Sequence, residues 1–173
     1  MTSDKPEYWT GYLDKTLFAP WRAAVTFVPA IALYVLGLTV QHVGHIPSLF
    51  IAWGWLGVAD VICVTRDPVE FGLKVWFPPL KDSPEARGIL RSLVMADLTL
   101  SAPRAAFGLW PHSPVLVGLT LVTIVVQLFW TLREYNHKTI DIRVLNIAAS
   151  GPVILAVLLA IHIAQGGVDW SHR

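Results

Sequence analysis

The stretch ILRSLVMADLTLSAPRAAFGLW, Ile89–Trp110, decides how this chain folds. It is apolar overall, yet it holds Arg91, Asp97 and Arg104. At about 100° per residue, Ile89, Leu90, Leu93, Val94 and Leu100 form one apolar arc, and Asp97 falls inside it. Arg104 projects close to the line of Asp97, although Pro103 can disturb that alignment. A helix lying on a membrane surface sets its charges opposite its apolar face. This segment does not. The pattern predicts a helix that crosses the membrane with Asp97 and Arg104 turned toward protein.

Four plainer hydrophobic runs flank it, at about 23–43, 49–65, 113–132 and 145–164. A crossing helix needs about 20 apolar residues. The expected architecture is all-α: one membrane domain over 1–173, a polytopic bundle of five transmembrane helices. The alternative keeps four spans and lays 89–110 on the surface or as a re-entrant helix. Residues 8–21 read as an interfacial amphipathic helix. Trp9, Leu13, Leu17 and Trp21 recur every fourth residue, and Asp14 and Lys15 fall off that stripe.

Charge bias sets the expected orientation. With five spans, one side holds ten basic residues: Lys5, Lys15, Arg22, Arg66, Lys74, Lys81, Arg87, Arg133, Lys138 and Arg143. The other side holds Arg173 alone. Four spans split the charges less cleanly. Both arrangements put the N-terminus in the cytoplasm by the positive-inside rule. The expected location is the bacterial inner membrane. The mixed charges of residues 1–22 do not resemble the basic start of a cleavable signal peptide, and neither end carries a lipidation motif.

Composition narrows the function classes. Only 14% of residues are charged and 54% are hydrophobic, against about 25% charged in soluble domains. Five spans leave loops too short for a soluble catalytic domain. A net charge of +1 offers no electrostatic case for nucleic acid. The lone Cys63 rules out an intrachain disulfide and a cysteine-based metal cluster. The chain lacks GxSxG, HExxH, Walker A, GxGxxG and CxxC patterns, so the reading leans away from an enzyme.

The groups that could carry chemistry are few. Asp60 lies in the second span and Asp97 in the third. A carboxylate in a span costs about 2.5–3.5 kcal/mol, so each needs protein or water beside it. The expected partnerships are Asp60 with Arg91, or Asp97 with Arg104. They serve either as structural ion pairs and partner contacts or as a proton or cation relay. His42, His45, His112 and His162 are candidates for copper, zinc or haem iron, or simply interfacial polar residues. Trp9, Trp21, Trp76 and Trp110 fit an aromatic belt. Trp53 and Trp55 sit inside the second span, on different faces, where packing or contact with a pigment, quinone or lipid explains them. Gly54 and Gly57 lie near one face and permit close helix approach.

The leading expectation is a non-catalytic integral subunit that scaffolds a larger bacterial membrane complex, with respiratory and photosynthetic assemblies as the energy-transducing cases. Its partners would be the bilayer and other membrane subunits. The alternatives are a small proton- or cation-coupled transporter using Asp60 and Asp97, and a haem-, copper- or quinone-associated redox protein. The sequence names no cofactor.

Overall fold

The computed structural model describes residues 20–66, 84–138, 140 and 142–170. These hold five helices and no strand: α1 Pro20–Thr39, α2 His45–Arg66, α3 Pro84–Leu109, α4 Pro114–Asn136 and α5 Ile142–Ala164. Proline opens α1, α3 and α4, where the first turn has no use for its missing N–H. Ser113 caps α4, its hydroxyl accepting from the Leu116 amide at 3.4 Å. Gly166, at φ 73°, ends α5. Gly167 N then donates to His162 O and Gly166 N to Ile163 O, the paired bonds of a Schellman stop.

The first hairpin differs from expectation. His45 to Ser48 fall between the runs 23–43 and 49–65 but form the first turn of α2. Pro47 is tolerated there because early helical amides lack intrahelical partners. The true connection is 40–44, with His42 and Gly44 at positive φ. The interfacial helix expected over 8–21 lies outside the described residues, apart from Pro20 and Trp21, which open α1. Trp9, Trp76 and the rest of residues 67–83 also lie outside them.

Small residues bring α2 and α3 together. Gly54 faces Ala105, Gly57 faces Ser101, and Gly108 faces Ile51 and the Pro47 carbonyl. As one number rises the other falls, so the helices run antiparallel along most of their length. α3 packs on α4, α4 on α5, and α5 returns to α2, where Gly151 lies under Trp53. α1 packs outside this ring on α2. There Gly37 faces Ser48, and Trp55 Nε1 donates to the Val25 carbonyl at 2.8 Å.

Two apolar clusters hold the ring. One contains Phe50, Phe107, Val117, Ile124, Leu155 and Leu159, with Phe50 and Phe107 edge to face at 4.8 Å. The other joins Cys63, Val64, Leu90 and Ile140, with Trp21 against it.

The outer faces are apolar too. Phe27, Val28, Ile31 and Val35 on α1 are exposed, as are Val115, Leu119, Val122 and Phe129 on α4 and Val153, Ile154 and Val157 on α5. So broad an apolar surface marks a membrane protein. Among the described helices, α1, α2 and α4 are long and apolar enough to cross a bilayer. The apolar part of α5 is the shorter Ala148–Ala164, and α3 carries the buried charges.

Candidate functional site: a polar seam between α2, α3 and α4

Before its last turn, α4 is apolar except along one line. Thr120, Thr123, Gln127 and Thr131 recur at three- or four-residue spacing, which stacks them on one helical face. The three threonines are buried. α3 turns Asp97, Ser101 and Arg104 to its own inner face at the same spacing. The result is a polar seam inside an apolar bundle.

Arg104 is its centre, with 1% of its surface exposed. Its Nε donates to Thr123 Oγ1 at 3.2 Å. Its Nη2 donates to the Thr123 carbonyl at 3.3 Å and to Gln127 Oε1 at 2.5 Å. Gln127 Nε2 then donates to Asp97 Oδ1 at 3.3 Å. Arginine can only donate and an ionised carboxylate can only accept, so the amide orientation is fixed by its two neighbours. Thr123 Oγ1 in turn donates to the Thr120 carbonyl at 2.7 Å, and Thr120 Oγ1 donates to the Pro103 carbonyl at 3.3 Å. Pro103 interrupts α3 one residue before Arg104. An arginine buried in apolar surroundings is costly, about 2.5–3.5 kcal/mol inside a membrane. Hydrogen bonds to charged groups return about 1.5–3 kcal/mol each, so the donor set of Arg104 is sufficient to keep it there.

Asp60 approaches the seam from α2. The facing pairs Gly57–Ser101 and Gly54–Ala105 place it opposite Asp97, and the two carboxyl groups are within electrostatic reach of each other. Arg91 is exposed and stands about 9 Å further along α3 from Asp97 at 1.5 Å per residue. Beyond Asp60, the Cys63 thiol meets the Thr26 side chain, with Arg22 nearby.

His42, His45, His112 and His162 lie at the opposite end of the bundle, in two separate places, whereas His137 follows α4 at the end of Arg66. Tyr34 OH and His45 Nδ1 are 2.8 Å apart at the first hairpin, where His42 is exposed. At the α3–α4 turn, His112 Nδ1 donates to the Gly167 carbonyl at 2.8 Å, and buried His162 Nε2 donates to the Pro111 carbonyl at 3.1 Å. The His162 ring stands edge to face on Phe107 at 5.3 Å. Among the described residues no three His, Cys, Asp or Glu side chains converge as metal ligands.

Trp53 packs on Gly151 of α5 and Trp55 bonds to α1, so each is engaged by a neighbouring helix. Trp110 is exposed at the α3–α4 turn. At the other end Trp21 lies beneath the Arg66 guanidinium at 4.2 Å, with that of Arg22 at 5.3 Å. Sequence reasoning missed the threonine line and the Trp21–Arg66 stack. The spacing of Thr120, Thr123, Gln127 and Thr131 was the signal available for the first. Comparison with protein-family models, curated proteins and solved structures finds no match.

Proposed function

We propose that the chain is a non-catalytic subunit of a bacterial inner-membrane complex, with five spans and a cytoplasmic N-terminus, and that α3 is the face on which a neighbouring membrane chain packs. The outward stripe of α3 carries this reading. Arg91, Ser92, Met95, Thr99, Ala102 and Leu109 are exposed along it, and among the described side chains Met95 and Leu109 are its large apolar ones. The outer faces of α1, α4 and α5 are richer in exposed Val, Ile, Leu and Phe, although Ala24, Ala32, Asn146 and Ser150 are exposed there too. Small and hydroxyl residues let helices approach closely inside a membrane, where apolar bulk suits lipid. The alignment of α3 with α2, from Gly108–Pro47 to Gly57–Ser101, supports a crossing for α3 wherever α2 crosses. The seam supports a structural role for the charges, since Arg104 and Asp97 are tied to each other through Gln127.

Cysteine cross-linking in native membranes tests the face. In a Cys63→Ser background, Thr99→Cys and Ala102→Cys should form a defined adduct with a second membrane chain. Val122→Cys and Ile154→Cys, on the apolar faces of α4 and α5, should not. Equal cross-linking from all four positions would remove α3 as the docking face.

A second reading rests on Asp60 facing Asp97 beside the threonine line. Opposed carboxylates at a polar seam suit a proton or cation path. Arg104, a fixed positive charge in that seam, opposes cation passage. A pH-dependent flux into liposomes that is lost in Asp60→Asn would favour the transporter.

A further inference from the structure

We propose that the end of the bundle where α1 begins and α2 finishes binds the phosphate of an anionic phospholipid, with Arg66 as the contact residue and Trp21 as its platform. Every Lys and Arg among the described residues except Arg104 belongs to this end: Arg22, Arg66, Arg87, Arg91, Arg133, Lys138 and Arg143. Among the described residues the acids beside them are Glu85 and Glu134, both already engaged in interactions. The opposite end has no described Lys or Arg and carries Asp169. A basic rim at the membrane surface attracts anionic headgroups.

Arg66 is the last residue of α2 and is exposed. Its guanidinium stands over the Trp21 ring at 4.2 Å. Stacking engages the face of the guanidinium and leaves its in-plane N–H groups for a ligand. That planar fork matches two oxygens of a phosphate. Among the described residues no acid is paired with Arg66. The buried Arg22 guanidinium, 5.3 Å from the same ring, adds positive potential without taking up the site.

Free phosphate shares this chemistry, but the surroundings favour a lipid. Trp21 rests on the apolar cluster of Cys63, Val64, Leu90 and Ile140. The exposed side chains of Phe27, Val28 and Ile31 continue down α1 from the same end and offer a surface for acyl chains. The inference rests on the membrane placement of this end and is independent of what docks on α3.

The test is thermal unfolding of the full chain in an uncharged detergent, titrated with phosphatidylglycerol, phosphatidylcholine or inorganic phosphate. Phosphatidylglycerol should raise Tm saturably, and the other two should not. Arg66→Gln should raise the phosphatidylglycerol midpoint about fivefold, the change expected from one basic contact at an anionic surface. Arg133→Gln, an exposed arginine of α4 at the same end, should leave it in place. Arg66→Lys keeps the charge but loses the stacked fork, and it too should weaken the response. An unchanged midpoint in both Arg66 variants overturns the site. An equal response to phosphatidylcholine overturns the selectivity, and an equal response to inorganic phosphate overturns the lipid assignment.

Discussion

Asp97 and Arg104 stand on one face of α3 and are joined through a third side chain: Gln127 of α4 accepts from Arg104 at 2.5 Å and donates to Asp97 at 3.3 Å. The two charges compensate each other across an amide rather than by direct contact. The arrangement makes α4 part of the pair, so the charges fix the register of α3 against α4 as well as satisfying each other.

Gln127→Leu should therefore be worse than its single polar group implies. It strips a partner from a buried guanidinium and from a carboxylate at once. Leaving a buried polar group unsatisfied costs about 1–3 kcal/mol, more if charged, so a loss of roughly 2–4 kcal/mol is expected in equilibrium unfolding. Asp97→Leu and Arg104→Leu should each cost about 3–5 kcal/mol, as for one side of a broken buried pair. The double variant should cost less than the two summed. Strict additivity in that cycle would mean that the charges are uncoupled.

The α2–α3 seam predicts a graded glycine series. A Cβ on Gly54 would lie 2.6 Å from the Ala105 Cβ, and one on Gly57 would run into the Ser101 side chain and lie 3.4 Å from Asp97 Oδ2. Gly54→Val and Gly57→Val should each destabilise by about 1–3 kcal/mol through overpacking. Gly118→Ala on α4 meets nothing within 4 Å. It should be neutral or stabilising by up to about 1 kcal/mol, from helix propensity alone. Thermal unfolding in detergent separates the two classes, and a Gly118→Ala loss as large as that of Gly54→Val would contradict this packing.

The end of α5 is pinned to the α3–α4 turn through His112 and His162, and the Asp169 amide donates to the His112 carbonyl at 3.0 Å. His162→Leu leaves the Pro111 carbonyl without that donor and should cost about 1–3 kcal/mol. Hydrogen exchange at residues 165–170 should rise more than exchange in the middle of α4. Equal change in both segments would show that His162 is a general core residue and not a local clasp.

Much of this was legible from residues alone. The placement of Asp97 inside the apolar arc of 89–110 already required a protein neighbour on that face. Gln127 is the only amide side chain in the run 113–132, and the sequence shows no more of it than that. Thr120, Thr123 and Thr131 drew no notice, because a threonine can satisfy its hydroxyl on its own helix, as Thr131 does on the Gln127 carbonyl. Trp53 and Trp55, two residues apart, had to face different ways. Which helices they meet depends on the order of packing around the ring, and periodicity carries no information about that order. The run 49–65 starts after Pro47, because proline reads as a breaker unless the helix is known to start just before it. The partnerships of Asp60 and Arg91 depend on the α2–α3 register, which the glycines set through contacts rather than through any local pattern.

The orientation has its own test. Reporters placed before Pro20 and after Trp170 should read opposite sides of the membrane, with the first in the cytoplasm. Five crossings require that result. Both reporters reading cytoplasmic would return 89–110 to the membrane surface.

The most direct measurement is the native mass of the protein extracted from its own membrane in mild detergent, for the wild type and for Ala102→Trp. Ala102 is exposed on α3, so the substitution should block docking without disturbing the bundle. The wild type should travel with another membrane chain in fixed stoichiometry, and Ala102→Trp should release it with unchanged helicity. A wild-type protein that travels alone, or a partner retained equally by Ala102→Trp, would contradict a subunit docked through α3.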